Sequence, residues 1–347
     1  MKVAIVAFTK TGAELAKKID TMLSENGNTC LTAASKNAAQ SCGLAEVVDL
    51  KSWTGQMFSQ MDGLIFVGAS GIAVRAVAPL LKDKYTDPAV VSVDELGKFA
   101  VPLVSGHIGG ANALAREVAR ITGGAAVIST ATDVQGLFAV DEWAANQGLV
   151  ITDRTAAKEI SAALLAGEKI GFHSDFPVYG KLPRGIEKAD KGRIGLYITV
   201  KDGLKPFETT LRLHPKVVTL GIGCRKGTSA SAISDAVSAA LGEAGISVLA
   251  LKGVASIDLK ADEQGLLDFC GERGLEFATY SAQELSKISG DFTSSAFVED
   301  ITGVNNVCER SAVAAGGTLT IKKQAGKGVT VAAAIAPFSL SFPEEME

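Results

Sequence analysis

His107 is one of three histidines in the chain, and it stands inside a glycine loop, Ser105-Gly106-His107-Ile108-Gly109-Gly110. Imidazole titrates near neutral pH, so a histidine that glycines leave accessible suits general-base work. Asp94-Glu95, between two apolar runs just upstream, is the carboxylate pair expected to orient His107 or to activate water. A structural loop histidine and a polar turn are the plainer readings of the same residues. Asp133 and Asp141-Glu142 follow further on, but acids at a helix start usually only cap it, so they rank lower. No second His or Cys lies at ligand spacing from His107, which argues against a metal site.

Anion chemistry is the second theme. Gly68-Ala-Ser70-Gly71 opens a helical pattern, Arg75 falls one turn into it, and Lys82 and Lys84 follow. Ser105, Gly109, Gly110 and Asn112 surround the histidine in the same way. A third loop, Gly221-Ile-Gly-Cys224-Arg225-Lys226-Gly-Thr228, joins a strand to a helix. A thiol at a helix start beside two cations would be acidified and reactive, although no histidine is paired with Cys224 by spacing. All three loops can offer backbone N–H groups to an anion, and the basic residues lean toward a polycarboxylate or phosphate. None carries the dinucleotide fingerprint, and in the third the lysine and glycine stand in the reverse of P-loop order.

The elements that must hold these loops read as α/β. VAIVAF (3–8) is a buried parallel strand, and a helix follows with Leu15, Ile19 and Leu23. Residues 30–60 are weakly patterned. Strands are expected at 64–67, 89–93, 100–104 and 125–129, and helices at 71–81, 110–121 and 136–147. A helix at 153–166 and short strands at 169–173 and 194–200 suggest a small middle module. Beyond Pro215 come a strand at 217–224, helices at 228–242, 263–273 and 303–315, strands near 247–251 and 276–279, and a ribbon turning at Ala325–Gly328. The expectation is two three-layer α/β domains with mostly parallel sheets, at 1–149 and 215–338, joined by a middle module at 150–214 and followed by a frayed tail at 339–347.

At 347 residues the chain exceeds one ordinary core, and 47% apolar with 21% charged residues is the balance of a folded enzyme. A net charge of −4 argues against a nucleic-acid partner. No apolar run approaches the ~20 residues of a membrane span, and VAIVAF is too short for a signal segment. Five cysteines without C-x-x-C spacing suggest reduced thiols and a cytoplasmic location. Spacing sets no oligomeric state.

GASGIAVRAVAPLLKDKYTDPAVVSVDE, PLVSGHIGGANALA and STATDVQGLFAVDEWA resemble the N-terminal domain of cobalt-precorrin-5A hydrolases. LGIGCRKGTS, ASIDLKADEQGLL and TGVNNVCERSA resemble that family's C-terminal domain. The motifs occur in the family's order and span nearly the whole chain around a variable middle segment. The resemblance implies a hydrolase acting on a carbon–carbon bond in anaerobic vitamin B12 biosynthesis. Such an enzyme opens the ring A acetate δ-lactone of cobalt-precorrin-5A and expels C20 with its methyl as acetaldehyde, leaving cobalt-precorrin-5B. It implies no cofactor, since cobalt arrives with the substrate, and leaves room for transient contacts with neighbouring methyltransferases of the pathway.

The expected mechanism sets the macrocycle over the three glycine loops, between the two outer domains. His107, with Asp94 or Glu95, activates water, and N–H groups near Gly71 or Gly109–Gly110 stabilise the oxyanion. Arg75, Lys84, Arg225 and Lys226 hold peripheral carboxylates, with Gly68, Ser70, Ser105, Asn112, Cys224 and Thr228 alongside. The rivals are a non-catalytic corrinoid hand-off protein and a nucleotide-dependent enzyme.

Overall fold

The structure is a computed structural model that describes residues 1–83, 86–107 and 109–342, apart from the side chain of Phe297. Two compact units divide the chain, one ending at Trp143 and the other beginning at Ala144.

In the first unit β1 (Lys2–Ala7) leads through α1 (Lys10–Glu25) to β2 (Thr29–Ala34), then α2 (Lys36–Cys42), β3 (Ala45–Glu46) and α3 (Leu50–Gln60). The chain continues with β4 (Gly63–Val67), α4 (Ser70–Val77), β5 (Ala89–Val93) and β6 (Phe99–Val104). Last come α5 (Ala111–Thr122), β7 (Ala125–Ala126), α6 (Ala131–Val134) and α7 (Val140–Asn146), within which the division between the units falls. The weakly patterned 30–60 stretch thus holds regular structure, including a helix that Asp49 caps through the N–H groups of Lys51 and Ser52. The helix expected at 136–147 is the shorter α7, and α6 before it lies outside that span.

The sheet runs β3-β2-β1-β4-β5-β6-β7. Its central strands are buried on both faces, which is why they read as unbroken apolar runs. Ile19 and Leu23 of α1 and Leu114 and Val118 of α5 pack on one face with Ile5 and Ile65. Met57 of α3 and Ala73 and Val77 of α4 cover Leu64 and Phe66 on the other. Three layers result.

One reversal decides where the site lies. β1, β2, β4 and β5 are parallel, but β6 pairs with β5 antiparallel, Val90 opposite Val104 and Val93 opposite Ala100. The link from Asp94 to Lys98 is far shorter than the roughly dozen residues a parallel crossover needs. β7 runs parallel to β6. The C-terminal ends of β6 and β7 therefore point to the edge where β4 and β5 begin.

The second unit opens with the middle segment: β8 (Leu149–Ile151), α8 (Arg154–Leu165), β9 (Ile170–Ser174), β10 (Val178–Tyr179), β11 (Ile186–Lys188), β12 (Gly192–Ile198) and β13 (Phe207–Pro215). Five of these strands form a sheet ordered β11-β9-β12-β13-β8, parallel except for β8. The Phe207 ring lies across Gly171 and Gly195, where a Cβ would approach it to 2.3 and 2.5 Å. Both positions need glycine.

The chain then forms β14 (Val218–Cys224), α9 (Ala230–Ala244), β15 (Leu251–Ile257), α10 (Gln264–Arg273), β16 (Glu276–Tyr280) and α11 (Ala282–Lys287). α12 (Ala296–Thr302), α13 (Cys308–Ala314), β17 (Thr318–Gly326), β18 (Val329–Ile335) and β19 (Leu340–Ser341) complete it. The sheet order is β16-β15-β14-β18-β17, with β14, β15 and β16 parallel. Leu220 and Ile222 pack on Ile233, Val237 and Leu266 of α9 and α10. On the other face α13 comes so close that a Cβ on Gly221 would fall 1.7 Å from the Cys308 carbonyl.

Three expectations need correction here. Residues 248–250 form a single 3₁₀ turn and the strand is β15; the helix expected at 303–315 is the shorter α13, and α12 before it lies outside the expected span. The described end of the tail is docked rather than frayed. β19 pairs with β10, and Leu340 and Phe342 are buried.

Candidate active site

β6 delivers His107 and β7 delivers Asp133 to the same edge of the first sheet. His107 Nε2 lies 3.0 Å from Asp133 Oδ2. Asn112 Nδ2 donates to that oxygen at 3.1 Å, and Arg116 Nη2 donates to Oδ1 at 2.5 Å. Arg116 also reaches Glu142 at 3.5 Å, and Thr132 Oγ1 sits 3.3 Å from His107 Nε2. Asn112 and Arg116 are four residues apart on α5, so one helix face carries both donors.

A carboxylate only accepts, and Asn Nδ2 and the guanidinium only donate. With Asp133 taking a proton from each, the neutral His107 tautomer that completes the set carries its hydrogen on Nε2. Nδ1 keeps its lone pair, which is the form a general base needs. The His107 side chain is 24% exposed and that of Asp133 only 10%, so the base is reachable while its partner is shielded.

Ser105 holds this loop in an unusual conformation, with φ of 57° and its hydroxyl donating to the Asp87 carbonyl at 2.8 Å. Gly109 is obligatory because a Cβ there would lie 2.2 Å from that of Ser105. The loop is closed on itself: Gly110 N donates to the His107 carbonyl, Ala111 N to that of Ser105 and Asn112 N to that of Gly106. The Gly110 amide is thus already bonded within the loop and is not the free oxyanion donor expected of it.

Asn112 is 1% exposed, and its Oδ1 has no hydrogen-bond donor among the described residues. Turning the amide over would set Oδ1 against Asp133, so the orientation is fixed by its neighbours. A buried unmatched acceptor costs about 1–3 kcal/mol.

The predicted strip from Gly68 to Asn112 is therefore two places, not one. Gly68, Ser70, Gly71, Arg75, Asp94 and Glu95 gather at the opposite edge, a strand length of roughly 15 Å away at about 3.3 Å per residue. There Gly68 N donates to the Val93 carbonyl, Ser70 Oγ meets Ser92 Oγ at 3.0 Å, and exposed Arg75 folds back toward Gly71. Asp94 accepts the N–H groups of Leu96 and Phe99 at 3.0 and 2.6 Å, while Glu95 accepts the Thr9 hydroxyl at 2.7 Å. Neither acid is the partner expected for His107, because β6 carries the loop away from their turn. That partner is Asp133. Lys84 lies outside the described residues.

In the second unit Arg225 N donates to the Gly328 carbonyl and Thr228 Oγ1 to that of Arg225. Glu263 accepts the Gly227 N–H at 2.7 Å and Lys260 at 2.8 Å, which joins the LGIGCRKGTS and ASIDLKADE strings and leaves Lys226 exposed on the loop. Hydrogen bonding from Lys260 holds the Glu263 carboxyl below its usual range. Cys224 reverses the expectation of an acidic thiol: burial pushes it up, against an opposing pull from Lys260. Glu309 is buried and accepts from Thr293, Asn306 and Lys323, an arrangement that fixes the loop before α12. Among the described residues no cluster of three or more His, Cys, Asp or Glu side chains could hold a metal ion.

Fold and site together describe an α/β protein of enzyme type, with a histidine–carboxylate pair on the loops of a βαβ unit. The chain belongs to the cobalamin synthesis G family: residues 52–133 match its N-terminal region, 138–215 the cobalamin biosynthesis central region and 218–334 its C-terminus. His107, Asn112, Arg116 and Asp133 all fall within the N-terminal match. The cobalt-precorrin-5A hydrolase of Priestia megaterium is 34% identical, covering 96% of this chain and 95% of its own. That of Salmonella typhimurium is 32% identical over 96% and 97%. A crystal structure of a cobalamin biosynthesis protein G homolog from Sulfolobus solfataricus has 22% identity and a TM-score of 0.43, over 96% of this chain and 97% of that one.

Proposed function

We propose that this protein is a cobalt-precorrin-5A hydrolase of anaerobic cobalamin biosynthesis. It opens the ring A acetate lactone and releases the two-carbon unit as acetaldehyde to give cobalt-precorrin-5B. Near-full-length relatives of that name support the reaction and favour an enzyme over a corrinoid hand-off protein. The observation that carries the chemistry is the His107–Asp133 contact, backed by Arg116 and Asn112.

In this mechanism His107 Nδ1 takes a proton from water as the water adds to the lactone carbonyl. Asp133 holds the ring and favours the cation that forms on it. The opened intermediate then loses its arm while the conjugated cobalt ring takes up electron density. Cobalt belongs to the substrate, so the protein needs no cofactor of its own. No described helix is long and apolar enough to cross a membrane, and the pathway fits a cytoplasmic enzyme.

Purified protein mixed with cobalt-precorrin-5A is expected to release acetaldehyde without a partner. His107→Ala should reduce that release at least a hundredfold, within the roughly 10²–10⁴ range of general-base catalysis. Tight macrocycle binding with no acetaldehyde would make the protein a carrier instead.

A further inference from the structure

We propose that Glu142 is a positioning residue for the His107 base, acting through Arg116 and Asp133, a role that rests on the hydrolytic function. The contacts form an unbroken chain. His107 Nε2 lies 3.0 Å from Asp133 Oδ2, Arg116 Nη2 donates to Asp133 Oδ1 at 2.5 Å, and Arg116 Nη1 faces Glu142 Oε1 at 3.5 Å. One guanidinium on α5 thereby ties Asp133 of α6 to Glu142 of α7. Glu142 belongs to the stretch that matches the central region, residues 138–215, whereas the other three fall in the N-terminal match. The site thus reaches past the region that supplies its base.

The reason for a second carboxylate is charge. Asp133 is there to favour the cation that forms on His107, yet the guanidinium that fixes Asp133 carries an opposite charge in contact with it and offsets its field. Asp133 and Arg116 together are neutral, so a proton taken up by His107 would leave the three at a net +1. Glu142 lowers that sum to zero and sets the resting group at −1. Arg116 can then hold Asp133 in place without cancelling what it does.

An acid in the first turn of a helix also suits the helix dipole, and α7 carries Asp141 and Glu142 there. That role needs no partner, whereas the Glu142 side chain reaches across to α5. Glu117, beside Arg116 in the chain, makes the contrast: it accepts from Asn26 at 2.9 Å, beyond the end of α1. The side chains of Arg116 and Glu142 are 47% and 27% exposed, so water screens the pair and its effect on the rate is modest.

The test measures kcat and KM for acetaldehyde release by the full chain. Glu142→Gln fills the same space without the charge, so it should melt with the wild type while kcat falls about 3- to 6-fold at unchanged KM, the scale of a half-exposed ion pair. Glu142→Asp keeps the charge on a shorter reach and should recover part of that loss. Raising the salt from about 0.05 to 1 M should close roughly half of the kcat gap between wild type and Glu142→Gln, because exposed charges are screened. In an Arg116→Gln background the carboxylate is released to solvent, and Glu142→Gln should then change kcat by no more than about 1.5-fold. Glu117→Gln, which removes a nearby charge outside the chain of contacts, should stay within about 1.5-fold of wild type. A Glu142→Gln kcat equal to wild type, Glu142→Gln faster than Glu142→Asp, a gap unmoved by salt, or an equal loss without Arg116 would each overturn the role while wild-type turnover is normal. Wild-type protein that releases no acetaldehyde would instead remove the hydrolytic function, and this role with it.

Discussion

Replacing Asp133 by Asn changes one atom and should disable the base. Arg116 has no acceptor, so the new side-chain carbonyl must take the Arg116 proton that Oδ1 takes now at 2.5 Å. The new NH2 then lies where Oδ2 was, 3.0 Å from His107 Nε2 and 3.1 Å from Asn112 Nδ2. Its hydrogen needs the Nε2 lone pair, which moves the imidazole proton to Nδ1 and removes the base. The same change in a serine-protease triad lowers kcat by about 10⁴ through the wrong tautomer. His107 is partly exposed and can re-equilibrate, so a loss of roughly 10³-fold is expected, equivalent to about 4 kcal/mol of barrier. Acetaldehyde release can be followed continuously with alcohol dehydrogenase and NADH. Glu95→Gln is the control: its carboxylate serves Thr9 at the far edge, so its rate should stay within about threefold of wild type. Asp133→Asn turning over within threefold of wild type would refute the tautomer reasoning.

Two further outcomes concern the fold. His214 is buried, its Nδ1 hydrogen bonded to the Thr199 carbonyl at 2.8 Å, and burial pushes its pKa below the ordinary value. Its folded pKa lies below its unfolded value of about 6.5, so the stability of the neutral form is present above pH 6.5 and is lost as pH falls toward the folded pKa. His214→Gln should melt lower than wild type at pH 7.5 and lose less on going to pH 5; parallel losses would contradict this. Deleting residues 339–347 removes buried Leu340 and Phe342, each worth about 1.5–3 kcal/mol, together with the strand that pairs with β10. A urea midpoint for the second unit that does not fall would show the docked tail to be inert.

The α/β rhythm can be read from the residues alone, because strands buried on both faces must be apolar throughout and helices packed on one side must repeat every three to four residues. VAIVA, GLIFV and AVVSV could hardly be anything else. The sequence also carried the family through motifs that stay in order along nearly the whole chain. Short elements were harder: β2 and α3 sit in a stretch whose burial is partial, and α12, seven residues long, is too short to show a helical period. His107 was legible as a glycine-loop base, but its partner was not. Asp133 looks like a helix cap in one dimension, and only the antiparallel turn at Asp94–Lys98 shows otherwise. That turn sends β6 back across the sheet, strands Asp94 and Glu95 at one edge, and brings His107, Asn112, Arg116 and Asp133 together at the other. The brevity of the link was visible all along; what it did to the site depended on which strands lay beside it, and that is set by packing across the whole sheet.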